Sequence, residues 1–274
     1  MINEFLEYTL KNKGLCKSTC IEYSKDLKAF VSWAKANEIE RWSDVTRAEL
    51  DDYVSDLAND GLKPATIKKR ISAIRQLYQY AFVKGKTTVN PAKYTSTPKI
   101  AEKQAKTLPL SMIKSTVEDT TIDMQTRTLI ALMTESGLRI SEARTLTWED
   151  IDMINKTAKV IGKGKKERTV FLGTKTLTML QAMNERDTLF TKEDRETRSD
   201  IHNALMRHSS SENDYCTSHA LRHTFATNMV ERGVDISVIA QLLGHTSIQT
   251  TQRYLTAGTQ AKREAYMRGA PRLN

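Results

Sequence analysis

The sequence predicts a mainly α-helical chain with one small β-hairpin, an α+β protein in two domains. Three observations predict it. The 274 residues exceed the roughly 100–200 of a usual single domain. Residues 1–91 hold four stretches whose apolar side chains recur at helical spacing, with cap and stop signals between them. From Leu108 onward helical stretches resume, broken by two short β-rich runs around a Gly/Lys turn.

The elements follow in order. A short helix is expected near residues 2–12. Thr19 and Glu22 form a T-x-x-E capping box, and Ile21, Leu27, Phe30, Val31 and Ala34 follow at helical spacing. A second box, Thr46 and Glu49, opens a helix to Asn59, with Gly61 just past its end. Pro64 suits a first helical turn. Ile67, Ile71, Ile74, Tyr78, Ala81 and Phe82 then mark one face, and Gly85 ends the helix. The first domain is expected to close at Asn90-Pro91. Residues 92–107 have no periodicity and few large apolar groups, so they read as an extended linker. In the second domain Ser111 is placed to cap a short helix. Ile122 to Ser136 reads as a helix stopped by Gly137. Ala158–Gly162 and Arg168–Leu172 read as a hairpin. Helices are expected near 174–184, 198–209, 219–232, 236–243 and 247–255, with Gly233 and Gly244 as stops.

Composition narrows the function. With 39% hydrophobic and 27% charged residues, the chain is globular rather than disordered or fibrous. No apolar run reaches the ~18–20 residues of a membrane span. Met1 to Lys13 carries Glu4 and Glu7 and lacks an apolar signal core. A cytoplasmic location is therefore expected. Cys16, Cys20 and Cys216 are too few for a disulfide framework. The net charge of +9 suits a polyanionic partner such as nucleic acid. Basic residues are densest in the linker, where Lys93, Lys99, Lys103 and Lys106 face one acid, Glu102. That linker is either a solvated tether or a strand lying along a phosphate backbone.

Most local motifs are weak. Gly162 to Arg168, GKGKKER, lacks the P-loop pattern. It is a solvated hairpin tip, or a basic turn reaching into a DNA groove. Cys216, His219 and His223 have no nearby fourth ligand, and no Glu stands where a metalloprotease needs its base, so no metal is assigned. No Ser or Cys sits in a nucleophile motif, and no acidic cluster suggests Mg²⁺.

Six residues that say little singly form a series: Arg139, Lys163, His219, Arg222, His245 and Tyr254. They sit in SGLRISEARTLTWEDID (136–152), VIGKGKKERTVFL (160–172), HALRHTFATNMVERG (219–233) and LLGHTSIQTTQRYL (242–255). These stretches resemble the tyrosine recombinase, or phage integrase, family, and most closely its simple two-domain Xer-like members. The resemblance runs over nearly the whole chain. Ser218 departs from it, since relatives often carry Pro there.

The resemblance implies a division of the chain and a chemistry. Residues 1–91 are a helical core-binding domain that clamps DNA. Residues 92–107 are the basic linker, and 108–274 the catalytic domain with a tail helix at Thr259 to Met267. No arm-type DNA-binding domain is expected ahead of residue 1. Tyr254 is the nucleophile on a DNA phosphodiester, forming a 3′-phosphotyrosyl link without metal, ATP or other cofactor. Arg139 and Arg222 hold the non-bridging oxygens. His219 donates to them or takes the phenol proton. His245 is a further donor, and Lys163 protonates the leaving 5′ oxygen. Glu142 supports these groups. Thr66, Lys69 and Arg70 match positions where relatives touch DNA, against the alternative of a solvated helix face. Lys165, Lys166 and Arg168 flank Lys163 and are expected to hold phosphates. The implied function is site-specific recombination of double-stranded DNA by four subunits, or by this chain with a related recombinase, on paired sites. There is no membrane partner, and there is room for accessory DNA-bending or directionality factors. A type IB topoisomerase-like relaxer and a DNA-binding control factor are the alternatives.

Overall fold

The structure, a computed structural model, describes residues 1–100, 106–162, 167–183, 189–210 and 215–244. The chain divides into two compact units, Met1–Glu102 and Lys103–Asn274.

The first unit is built from α1 (Ile2–Lys11), α2 (Lys17–Ala36), α3 (Arg47–Asn59) and α4 (Pro64–Val83). Their apolar stripes meet in one core, where Phe5, Leu27, Phe30, Leu50, Tyr53, Ile71, Ile74 and Leu77 are almost fully buried. Tyr53 packs edge-on against Phe30, ring centroids 5.1 Å apart, an orientation that suits the ring quadrupoles. Thr46 is the N-cap of α3. Its hydroxyl accepts from the Ala48 amide at 3.1 Å, and Glu49 accepts from the Thr46 amide at 2.8 Å. Pro64 opens α4 as its first residue, and Gly85, at φ 66°, follows its end.

Several expectations give way. The pair Thr19–Glu22 is not a capping box, because α2 begins at Lys17 and contains both residues. Glu22 instead reaches across to Lys69 of α4 at 2.8 Å. Ile21 and Phe82 are exposed, whereas Leu77 is buried. The segment expected as a linker from residue 92 does not leave the first unit there. A 3₁₀ turn over Pro91–Tyr94 buries Ala92 in the core. Arg75 clamps it by donating to the Ala92 carbonyl at 2.9 Å and the Thr95 carbonyl at 3.3 Å.

The second unit contains α5 (Leu110–Glu118), α6 (Met124–Ser136), α7 (Ile140–Arg144), β1 (Ile151–Asp152), β2 (Thr157–Ile161), β3 (Glu167–Phe171), α8 (Thr174–Gln181), α9 (Asp194–Arg207), α10 (Ser218–Glu231) and α11 (Ile236–Leu243). Helix α6 is central: it packs on α5, α7, α8, α9 and α10. It is therefore buried nearly all round, from Leu129 through Met133, as a helix without a solvent face must be. The expected hairpin forms, with Ala158 opposite Val170 and Val160 opposite Arg168. A short β1 adds an antiparallel edge that the sequence reading did not include.

Boundaries move where a side chain intervenes. Ser111 lies inside the first turn of α5, which starts after Pro109. Helix α6 starts at Met124 because Asp123 caps it, accepting from the Thr126 amide at 3.0 Å. Just ahead, Asp119 closes a turn on Thr121. Helix α9 begins earlier than expected, at Asp194. The helix expected at 247–255 lies outside the described residues. Among the described residues no helix is long and apolar enough to cross a membrane.

Candidate active site

The site begins where α6 stops. Gly137 adopts φ 66°, a conformation that costs an L side chain strain and glycine little. A Cβ there would also press into the Phe225 ring and come within 2.9 Å of Leu243. This turn brings Leu138 into the core and sets Arg139 at the N-cap of α7. Glu142, one turn on, accepts from the Arg139 amide at 2.9 Å and from Arg139 Nη1 at 2.8 Å.

Two more arginines converge there. Strand β3 delivers Arg168, whose Nη1 and Nη2 donate to the two Glu142 oxygens at 3.0 and 2.9 Å. Its Nε reaches the Leu242 carbonyl at 3.4 Å. Helix α10 delivers Arg222, which donates to the carbonyls of Gly137 and Leu243, each at 2.6 Å. Arg222 Nη1 lies 3.9 Å from Glu142, and Arg139 Nη1 also approaches the Leu243 carbonyl, at 3.5 Å. The C-terminal carbonyls of α11 are thus used as acceptors just before Gly244, whose left-handed φ of 62° ends that helix.

Burial grades the members. Side-chain exposure is 4% for Glu142, 5% for Arg222, 15% for Arg168 and 32% for Arg139. Burial alone would push the Glu142 carboxyl up. Hydrogen bonds from Arg168 and the Arg139 amide, and the charges of both arginines, outweigh it and hold the carboxyl below its ordinary value of 4.5. Three guanidinium charges therefore surround one carboxylate. The surplus is positive, and Arg139 is its most exposed member.

His219 lies in the first turn of α10, one turn before Arg222, and is exposed. Its ring is perpendicular to that of His223 at 5.9 Å. The structure thus brings together Arg139, Glu142 and Arg222, with His219 on the helix that carries Arg222. Lys163, Lys165, Lys166, His245, Tyr254 and the tail 259–267 lie outside the described residues.

Arg168 has partners other than the phosphates that its place in the Lys-rich turn suggested. Its fork is engaged by Glu142 and Leu242. The signal was present in the strand alternation: Val170 and Leu172 are buried, and period two puts Arg168 on their side of the sheet. Cys216 is buried, with its carbonyl 2.8 Å from His202 Nδ1. In the first unit, Lys69 sits between Glu22 at 2.8 Å and Asp26 at 3.5 Å. Arg70 lies beside the Tyr53 hydroxyl with its Nε buried, and Thr66 is half-buried at the start of α4.

Residues 100–260 match the phage integrase family. Residues 2–85 match the phage integrase N-terminal SAM-like domain. The chain is 28% identical to tyrosine recombinase XerC of Histophilus somni, over 99% of this chain and 97% of the relative. It is 29% identical to tyrosine recombinase XerD of Rickettsia conorii, over 97% of each. Among solved structures, the Tn1549 transposon integrase in complex with transposon right end DNA superposes with a TM-score of 0.78 at 15% identity, covering 98% of this chain and 99% of that one. A lambda integrase dimer bound to a core site gives 0.73 at 18% identity, covering 94% and 95%. With two family matches spanning most of its length, the chain belongs to the phage integrase family.

Proposed function

We propose that this chain is a site-specific DNA recombinase whose nucleophile is Tyr254. The phenolate oxygen attacks a backbone phosphorus, a tyrosine–phosphate bond forms at the 3′ side, and the 5′ oxygen departs with a proton. A 5′ hydroxyl from a partner strand then attacks the phosphotyrosine, and the phenol is released. The ester energy is kept in the covalent link, so this cycle needs no nucleotide.

The observation that carries this reading is the convergence of Arg139 and Arg222, from two separate elements, around Glu142. Negative charge grows on the non-bridging oxygens during transfer, and preorganised cationic donors stabilise it. Arginine suits the task because its planar fork donates two bonds and stays charged. In this reading His219 and His245 add donors or accept the phenol proton, as imidazoles near neutrality can. Lys163 supplies the proton to the leaving 5′ oxygen. A free phenol has a pKa of about 10, so cationic neighbours must favour its ionised form.

The partners follow from the same reading. The substrate is double-stranded DNA in the cytoplasm, bound by the first unit as well as the catalytic one. Two sites are paired by four subunits, either copies of this chain or a related recombinase. The N-terminal SAM-like match and the Xer relatives favour recombination over relaxation. The stretch 259–267, expected from the sequence as a tail helix, is assigned the contact with a neighbouring subunit. Deleting residues 259–274 then weakens site pairing more than DNA binding, and equal losses would refute the docking role.

The test is covalent capture. The protein is incubated with sheared genomic DNA of its source in EDTA, denatured, and the protein-linked DNA is sequenced. Wild type yields 3′-linked adducts at a defined site and Tyr254→Phe yields none. Adducts that persist in Tyr254→Phe would overturn the nucleophile assignment.

A further inference from the structure

We infer that Arg168 is a positioning residue: it is the counterion of Glu142, and it leaves the charges of Arg139 and Arg222 available to the DNA phosphate. This rests on the proposed reading of those two arginines.

The geometry separates Arg168 from its Lys-rich neighbourhood. All three of its guanidinium nitrogens have acceptors, two on Glu142 and one on the Leu242 carbonyl. Only 15% of its side chain is exposed. Gly244 makes room for it: a Cβ at that position would come within 2.9 Å of the guanidinium carbon. With three of its five N–H groups engaged and both carboxylate oxygens of Glu142 against its Nη atoms, Arg168 is built to hold Glu142.

Its effect is one of charge. Glu142 touches Arg139 at 2.8 Å and lies 3.9 Å from Arg222. Unpaired, a carboxylate this buried would neutralise one of them and draw its fork inward. Because Arg168 takes both oxygens in a two-pronged pair, the four groups together keep two positive charges. Phenolate attack on a phosphodiester produces a phosphorane with two negative charges. The surplus therefore matches what must be stabilised, before the histidines and Lys163 are counted. Arg168 also ties β3 to the last turn of α11 through Leu242. In sequence, Lys163 precedes β3 and His245 follows α11.

The test uses the full chain and two readouts. One is the salt dependence of binding to a random-sequence duplex. The other is the rate of covalent adduct formation on sheared genomic DNA of its source. Arg168→Gln keeps the wild-type salt slope but forms adducts roughly 10- to 100-fold more slowly, the scale of losing an orienting partner. Adding Glu142→Gln to Arg168→Gln restores the rate at least partly, because the uncompensated carboxylate is gone. Thermal unfolding read alongside separates this from a merely structural pair, in which rate and stability would fall and recover together. If Arg168→Gln lowers the salt slope by about one, Arg168 is a phosphate contact and the inference fails. A double variant slower than Arg168→Gln overturns it as well. Should Arg168→Gln not fold, Arg168→Lys keeps the charge, and pairing it with Glu142→Gln reads the same compensation: a double variant slower than Arg168→Lys alone sinks the proposal. Arg139→Lys tests the underlying reading separately. Unchanged adduct formation there would remove the phosphate site itself, whatever Arg168 does.

Discussion

Arg222 illustrates how helix-end carbonyls help to hold a buried cation. It donates to the Gly137 and Leu243 carbonyls, which engage two of its five N–H groups and tie two helix ends around it. Arg222→Lys keeps the charge and loses the fork. Adduct formation should fall by about 10²–10³-fold, the usual cost of removing a preorganised donor, and a rate near wild type would show that charge alone suffices. Glu142 makes a pH-dependent contribution. Its folded pKa is depressed below 4.5, so its stabilisation is fully present above that value and is lost as pH falls through the lower folded value. Urea unfolding of wild type should therefore lose more stability below about pH 4.5 than Glu142→Gln does. Parallel curves for the two proteins would contradict this. Of the candidate site, Arg139, Glu142 and Arg222 were legible only as members of a series, and the structure gathers those three; Lys163, His245 and Tyr254 lie outside the described residues. The role of Arg168 was not legible. Its Lys-rich neighbours masked the strand alternation that turns it inward, and a fork-to-carboxylate pair links residues 26 positions apart.

At the scale of elements, the glycine stops survived because backbone geometry enforces them: Gly137 and Gly244 end α6 and α11 as expected. Of the two side-chain capping signals, Thr46–Glu49 caps α3 and Thr19–Glu22 failed. Glu22 could turn back to an N-cap or reach another helix, and tertiary packing gave it Lys69. Helix α7 was missed because five residues are too few to show a 3.6-residue period. The contrast is measurable. Thr46→Ala should cost about 1 kcal/mol as a lost N-cap, and Thr19→Ala less than about 0.5 kcal/mol as an ordinary surface change. Comparable losses in thermal unfolding would mean that Thr19 caps after all. Gly137→Ala adds left-handed strain to a clash with Phe225. It should cost at least about 2 kcal/mol and slow adduct formation, because Gly137 also supplies a carbonyl to Arg222.

For the whole molecule, the two units are proposed to divide the labour: the second does the chemistry, and both hold the DNA. Net charge says little about where binding resides, because a lysine counted as +1 can already be neutralised. Lys69 is such a case, held between Glu22 and Asp26. Asp26 is buried, and burial pushes its carboxyl up even against the nearby Lys69 and Arg70. If the start of α4 lies on DNA, a phosphate must compete with these carboxylates for Lys69. Glu22→Gln then removes a competitor and a like charge facing the backbone. It should raise affinity about two- to fivefold, a surface-charge effect of under about 1 kcal/mol. Lys69→Gln should lower affinity and flatten the salt dependence by about one counterion. Neither change should alter the rate of adduct formation once DNA is saturating, because neither residue belongs to the catalytic unit. Unchanged affinity in both variants would make this face of α4 a solvated ion-pair surface, and DNA contact by the first unit would then have to come from another of its faces.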